Sequence, residues 1–470
     1  METDAQKPLR IAVVAGEPSG DRQGAALVEA LRAAARPRPV EAWGIGGHFL
    51  RAAGLALRHD SDPWAAIGIA ETLSKIPAML WVLWDMKRAL KRDPPDALVL
   101  VDAGAFNVPL ARWVKAQRIC PIFYFFPPGS WRRQGKAGGA EGLAAATDRI
   151  VTPFPWSAPL LRAGGADAHF VGHPLLDLVK PSLEDSAFYG RYGLDPARPI
   201  VALLPGSRRG EIRHILPALV GAAGEITRRI PSVQFVLALS SSAARAQVES
   251  LIRREQRRGG RAARVQLLMS QAGDKLAQIA HTTLPTPVPV LATDAGLLLP
   301  ADPTEPVDSG VHAHPAPGPA PLVIAEGLTW DVLARSDLVL TKSGTATLEA
   351  MILKKPMVIV YRGSKLMALE YRLRRRSHGI VHLGMPNILA GERLFAELLG
   401  DEATPDAIAA LAVELLLEPG RILTLKQRLA DLARESLGEP GGVARAADLL
   451  LEMIAGWAGA EAPQPPILGE

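Results

Sequence analysis

Ile11-Ala12-Val13-Val14-Ala15-Gly16-Glu17-Pro18-Ser19-Gly20-Asp21, near the N-terminus, shares a plan with Ile200-Val201-Ala202-Leu203-Leu204-Pro205-Gly206-Ser207-Arg208 in mid-chain. In each, a short apolar run stops at a turn rich in Gly, Ser and charge, and a helical pattern follows. Strands buried on both faces read as continuous apolar runs, and such runs separated by helices argue a parallel sheet. The first half repeats the run at Val99–Val101, Pro121–Phe126 and Ile150–Thr152. A Pro-marked, charged stretch, Lys180–Pro199, then intervenes. The second half continues with Gln234–Leu239, Leu322–Ala325, Asp337–Thr341 and Met357–Val360. After Arg208, Ile212, Ile215, Leu216, Leu219 and Val220 have the spacing of one buried helix face, with a kink expected at Pro217. The chain therefore reads as two α/β units joined near Lys180–Pro199, and two such units facing each other enclose a cleft.

Composition narrows the class. The 470 residues are 48% apolar and 21% charged, which excludes a fully disordered chain and a coiled coil. A balance of +5 over this length gives no argument for nucleic acid. The single cysteine, Cys120, excludes a disulfide framework and a Cys-based zinc site, and fits a reducing compartment. No apolar run approaches the ~20 residues of a membrane-spanning helix, and Ile11–Gly16 is too short for a signal peptide. A cytoplasmic protein, free or peripherally attached, is expected. From His281 to Pro321 the chain is rich in Pro and Ala and reads as an inserted, flexible loop. Its His312 and His314 lack a nearby third ligand, so they read as solvated rather than metal-binding.

In open parallel sheets ligands bind at the carboxyl ends of strands. Four segments stand there: Gly16–Asp21, Asp102–Asn107, Pro205–Arg208 and Ser343–Glu349. Ser343-Gly344-Thr345 opens a helix whose free backbone amides suit phosphate. Glu349, one turn in, would repel phosphate and fits ribose hydroxyls better. Gly206 and Ser207 supply a tight turn, and Arg208 a guanidinium that can fork onto phosphate oxygens. Together the two turns favour a nucleoside diphosphate. Neither is a Walker loop or a G-x-G-x-x-G, so ATP hydrolysis and NAD lose their usual support. Asp102 could be a general base facing the cleft or the N-cap of the next helix. Glu17 and Asp21 share that ambiguity.

A further feature concerns location. Trp64, Trp81 and Trp84 lie among Ile67, Ile69, Ile76, Met79 and Leu80, and the stretch turns basic at Lys87, Arg88, Lys91 and Arg92. Trp beside cations at an apolar boundary suits a membrane interface or an acyl-chain groove. The alternative is a core helix with a solvated tail.

The ordered motifs AGEPSGD, GIGG, VDAGAFN, VGHPLLD, LLPGSRRGEI, SDLVLTKSGTATLEAM, PMVIVYR and MPNILAGE run from Ile11 to about Glu392. This order resembles the lipid-A-disaccharide synthase family, inverting glycosyltransferases of the GT-B type with two Rossmann-like parallel-sheet domains. The resemblance implies that a diacylglucosamine unit passes from its UDP derivative to the 6-hydroxyl of 2,3-diacylglucosamine 1-phosphate, giving the β-1,6 disaccharide 1-phosphate and UDP. It implies no cofactor and no bound metal, so positive protein groups must stabilise the leaving diphosphate. By position Asp102 matches the family's general base, Arg208 and Ser343–Thr345 its diphosphate site, and Glu349 its ribose carboxylate. Gly16, Glu17, Ser19, Gly20 and Asp21 face the cleft, with Asn107 and His173 as further substrate-side residues. For His173 a hinge-packing role competes.

The implied domains are an acceptor and lipid side at 1–180 and a UDP-sugar side at 200–430 carrying the insert 281–321. A C-terminal helix and tail at 431–470 are a candidate to return to the first domain. Implied partners are the UDP-linked acylated sugar, a phosphorylated glycolipid acceptor, the inner face of the cytoplasmic membrane and a second copy of the chain. Two departures lie on the acceptor side. The family's Ser-Pro-Ser-x-Trp-Ala-Trp-Arg run is here Phe126-Pro127-Pro128-Gly129-Ser130-Trp131-Arg132-Arg133, and a second Asp near Asp102 is Ala105. The alternatives are a related UDP-sugar transferase with another lipid acceptor, or a UDP-sugar epimerase of the same fold.

Overall fold

Continuous apolar runs fill the interiors of two parallel sheets. The computed structural model describes residues 7–62, 69–127, 140–239, 244–257, 265–267, 320–363 and 382–459. The first sheet holds β1 (Leu9–Ala15), β2 (Val40–Gly46), β3 (Ala56–Asp60), β4 (Ala97–Val101), β5 (Ile122–Phe125), β6 (Arg149–Thr152) and β7 (Ala168–Phe170). Its order is β3-β2-β1-β4-β5-β6-β7. The second holds β8 (Ile200–Leu204), β9 (Gln234–Leu239), β10 (Val265–Leu267), β11 (Ala320–Glu326), β12 (Leu338–Lys342), β13 (Met357–Tyr361) and β14 (Glu397–Leu399). Its order is β10-β11-β9-β8-β12-β13-β14. Every residue of β4, β8 and β9 is buried. Each large apolar side chain so placed contributes roughly 1.5–3 kcal/mol, which holds these strands in interior positions.

The helices used below are α1 (Pro18–Ala34), α2 (His48–Ala52), α3 (Ile69–Arg92), α4 (Gly104–Gln117), α5 (Arg209–Arg229), α6 (Thr329–Arg335), α7 (Thr345–Ile352), α8 (Met385–Ala390), α9 (Pro419–Leu437) and α10 (Gly442–Gly459). The first starts at Pro18, in the first-turn position that tolerates a missing N–H. The face of α5 read from the sequence is fully buried, and Pro217 lies inside the helix.

Both sheets reverse their winding direction once, between β1 and β4 and between β8 and β12. Loops leaving those strands part to opposite sides and open a crevice. The four chemistry-bearing segments of the sequence leave these four strands.

The chain crosses between the sheets twice among the described residues. On the way out, the Ser182 and Leu183 amides and the Ser182 hydroxyl donate to the Asp331 carboxylate on α6, at 2.8, 2.7 and 3.0 Å. On return, Asp177 accepts from the Gly441 and Val443 amides at 2.5 and 3.0 Å. The last helix, α10, then buries Ala446, Ala447, Leu450 and Met453 in the core of the first sheet against α1. Arg149 fixes it by donating to the Leu449 carbonyl at 2.9 Å. No helix among the described residues is long and apolar enough to cross a membrane.

Candidate active site

On the second sheet, the turn after β8 is built around an absent side chain. Gly206 has φ +108°, and a Cβ there would stand 2.4 Å from Oε2 of Glu211. That oxygen accepts from the Arg208 amide at 3.4 Å, while Oε1 accepts from Lys342 Nζ at 2.8 Å. Arg208 reaches across the crevice to Glu17, 3.7 Å away, with its side chain 42% exposed. Ser207 is exposed.

After β12, Gly344 takes φ +150° at the N-cap of α7, and Thr345 is the first residue of the helix. Ser343 donates its hydroxyl to the Leu383 carbonyl at 2.7 Å. Thr347 Oγ1 donates to the Gly344 carbonyl at 2.7 Å and accepts from the Met385 amide at 3.1 Å. Buried Glu397 collects the Leu383 and Gly384 amides and the Asn387 amide nitrogen at 2.8–3.0 Å. These bonds tie the start of α8 to the phosphate-type turn. The Ser343 hydroxyl therefore serves the loop and its amide donates to the Val360 carbonyl at 3.3 Å, which leaves the amides at the start of α7 for a ligand.

On the first sheet, Asp102 and Ala103 both adopt left-handed backbone, φ +46° and +41°. Such strain persists only when surrounding groups hold it. Here the Tyr124 hydroxyl and the Asn107 amide nitrogen donate to the Asp102 carbonyl at 2.8 and 2.9 Å. Asn107 also donates to the Val101 carbonyl at 3.1 Å and is fully buried. It is thus a brace beneath the loop, not a group open to substrate. Ala103, not Asp102, occupies the N-cap of α4. Burial, reinforced by the neighbouring Glu17 carboxylate, pushes the Asp102 carboxyl up to about 6. Gly20 brings α1 close: a Cβ on it would lie 3.8 Å from Asp102 Cβ. Gly16 is buried in the same loop, and Ser19 is half-buried.

Asp21 serves α2. Its buried carboxylate accepts from the Gly47, Phe49 and Leu50 amides at 2.7, 2.8 and 3.2 Å. Among the described residues Asp21, His48 and Asp62 could gather around a cation. Asp21 already spends both oxygens on backbone, so the group reads as the capped start of a helix. The pair His312 and His314 lies outside the described residues.

Arg22, which carries no signal in the sequence, bridges the units to Glu349, which does. Arg22 of α1 lies 3.8 Å from Glu349 of α7. Its guanidinium is held between the rings of Phe49 and Trp330, 4.4 and 4.6 Å from their centroids. Burial raises the Glu349 carboxyl, and Arg22 opposes the rise.

His173 sits at the crossing. Its amide donates to the Leu437 carbonyl at 2.8 Å, and its Nδ1 accepts from the Leu175 amide at 3.1 Å. Phe126 and Phe154 pack beside it, and burial pushes the imidazole down to about 3. A neutral, ring-packed histidine here braces the junction.

The outer face of α3 carries Leu80, Trp81 and Trp84, each more than half exposed. Arg88 lies 5.6 Å over the Trp84 ring. Val82, Met86 and Leu90 bury the opposite face. The helix is therefore anchored without these tryptophans, which removes the core-helix alternative for both. Trp64 and 128–133 lie outside the described residues.

The family model described as lipid-A-disaccharide synthetase matches residues 11–272 and 320–449. A lipid-A-disaccharide synthase from Syntrophus aciditrophicus (strain SB) is 33% identical over 445 residues, 94% of this chain and 97% of its own. Among solved structures, the UDP-GlcNAc 2-epimerase from Neisseria meningitidis bound to UDP-GlcNAc is similar at a TM-score of 0.53 and 11% identity, covering 95% of this chain and 99% of that one. The calicheamicin glycosyltransferase CalG4 is similar at 0.52 and 14%, covering 96% and 100%. Those two likenesses carry the fold alone, a two-sheet GT-B architecture that transferases and epimerases share. The sequence relationship separates them and favours the transferase over both alternatives. With the match spanning both sheets and all four strand-end turns, the chain belongs to the lipid-A-disaccharide synthetase family.

Proposed function

We propose that this chain runs its family's transfer with Asp102 as general base and with the Gly206–Arg208 and Ser343–Thr345 turns on the leaving diphosphate. The family makes the chain a glycosyltransferase that draws on a UDP-linked diacylglucosamine. Its acceptor, on this reading, is 2,3-diacylglucosamine 1-phosphate. The observation that carries the reading is Asp102. It is a carboxylate at a strand end, raised to about 6, across the crevice from two Gly-containing turns that suit phosphate. As the acceptor 6-hydroxyl attacks C1 from the face opposite UDP, Asp102 takes its proton. The C1–O bond to the diphosphate breaks, and its electron pair leaves with UDP. Arg208 and the first amides of α7 meet that charge. Arg208 must exchange Glu17 for phosphate, and Glu349 would accept from the ribose beside Arg22.

A base acts only when ionised, so kcat/KM should climb with pH through an apparent pKa near 6 and level off above it. A profile flat from pH 5 to 8 would remove Asp102 from that role.

The exposed ridge of Leu80, Trp81 and Trp84 beside Arg88 supports peripheral attachment to the anionic inner face of the cytoplasmic membrane. Trp81→Ser with Trp84→Ser should weaken cosedimentation with phosphatidylglycerol-containing liposomes and leave UDP affinity intact. Because Val82, Met86 and Leu90 hold the inner face, thermal stability should change little. Unchanged liposome binding would end this assignment.

A further inference from the structure

The two donor-side turns are joined from beneath by an ion pair. Lys342 is the last residue of β12, and its Nζ lies 2.8 Å from Oε1 of Glu211, with the lysine side chain 25% exposed and the glutamate 13%. A Cβ placed on Gly344 would stand 3.5 Å from that Nζ, and one placed on Gly206 would stand 2.4 Å from Oε2 of Glu211. The ammonium thus lies against one turn and the carboxylate against the other. At both places the chain has a glycine, so no side chain separates a ligand in the turns from these charges.

We propose that Lys342 is a third donor-binding group of this site: its ammonium contacts the UDP diphosphate and takes part of the charge that grows there as the sugar leaves. The inference rests on the donor-site reading above and adds a residue to it. Three observations support it. An ammonium has three N–H donors, and Glu211 takes one, which leaves donors for phosphate oxygens. Arg208 is 42% exposed and shared with Glu17, so charge at the turns otherwise rests on a screened, competed cation. Finally, a bare Glu211 under a phosphate turn would repel the ligand. Paired with Lys342 its charge is offset, although the carboxylate also competes with a ligand for the ammonium. No bond to Lys342 forms or breaks, and it keeps its protons.

The competing role is a strut that only holds the turns in register. The two differ in sign at Glu211. If Lys342 contacts diphosphate, Lys342→Met should weaken UDP about tenfold, the scale of one charge-assisted contact. Uridine affinity should stay within about twofold, and Lys342→Arg should recover part of the loss. Glu211→Gln keeps the hydrogen bond to the Arg208 amide but removes a negative charge and releases the ammonium, so UDP should bind as tightly as to wild type or more tightly. A strut predicts the opposite: both substitutions weaken UDP and uridine together. Calorimetric titration of the full chain and these variants with UDP and uridine decides between them, with Arg208→Ala alongside. Loss of UDP affinity in Arg208→Ala but not in Lys342→Met overturns the role of Lys342 and leaves the donor site standing. Loss in neither overturns the donor site itself. If Lys342→Met unfolds, Glu211→Gln still carries the test, and weakened UDP binding there overturns the proposal.

Discussion

Asp102→Asn should leave a folded, UDP-binding protein whose turnover is lower by roughly 10²–10⁴, the range for removing a general base. Asparagine keeps the shape of the side chain but cannot take the acceptor's proton. The backbone at 102 is held through its carbonyl by Tyr124 and Asn107, contacts that the substitution does not touch. Stability supplies the control. The folded-state carboxyl is raised from 3.8 to about 6, so the native state holds that proton more tightly than the unfolded chain does. Its contribution to stability is present below about pH 4 and is lost as pH rises through 6. At pH 8 the ionised, desolvated carboxylate is a cost that Asn removes. The melting temperature at pH 8 should therefore hold or rise while activity collapses. Near-normal turnover would make Glu17 the next candidate base, since it lies close enough to raise Asp102. A joint fall of activity and melting temperature would assign Asp102 to structure instead.

Arg208→Ala should weaken UDP binding by roughly 1.5–3 kcal/mol, the scale of a hydrogen bond to a charged group. The lower half of that range is expected, because the side chain is 42% exposed and must leave Glu17, 3.7 Å away. Arg208→Lys should recover only part, since an ammonium cannot fork onto two oxygens. The same pair links the donor and acceptor sides. Without Arg208, Glu17 loses a counter-charge and its repulsion of Asp102 grows. The rising limb of kcat/KM should then move above pH 6 in Arg208→Ala and below it in Glu17→Gln. Calorimetry gives the first effect and a pH–rate series the second. Equal UDP affinity in wild type and the Ala variant would contradict the placement of Arg208.

The interior of both sheets was legible because strands buried on two faces must be apolar throughout. Ile200–Leu204 and Gln234–Leu239 stand in the structure with the bounds read from the sequence. Edge strands need no such pattern: β3 is Ala-Leu-Arg-His-Asp, with alternate residues exposed, and β14 has three residues. In β2 the run is broken by Gly44, where a Cβ would strike the Val13 carbonyl oxygen at 2.0 Å. At the site, sequence placed the four turns at strand ends but could not separate ligand groups from braces. Asp21 and Asn107 are polar residues near the cleft, and only the fold shows the Asp21 carboxylate and the Asn107 amide nitrogen spent on backbone. Arg22 carried no signal, because its partners Trp330 and Glu349 come from the other half of the chain. Lys342 stood one residue before a turn already singled out. Nothing in spacing says that its amine folds toward Glu211 rather than into solvent.

The most direct test is a product assay by mass spectrometry, with purified protein, UDP-2,3-diacylglucosamine and 2,3-diacylglucosamine 1-phosphate. A β-1,6-linked disaccharide 1-phosphate should form together with an equal amount of UDP. Wild-type protein that turns over the same donor only with a different lipid acceptor, or that changes the donor sugar without transferring it, would contradict the assignment.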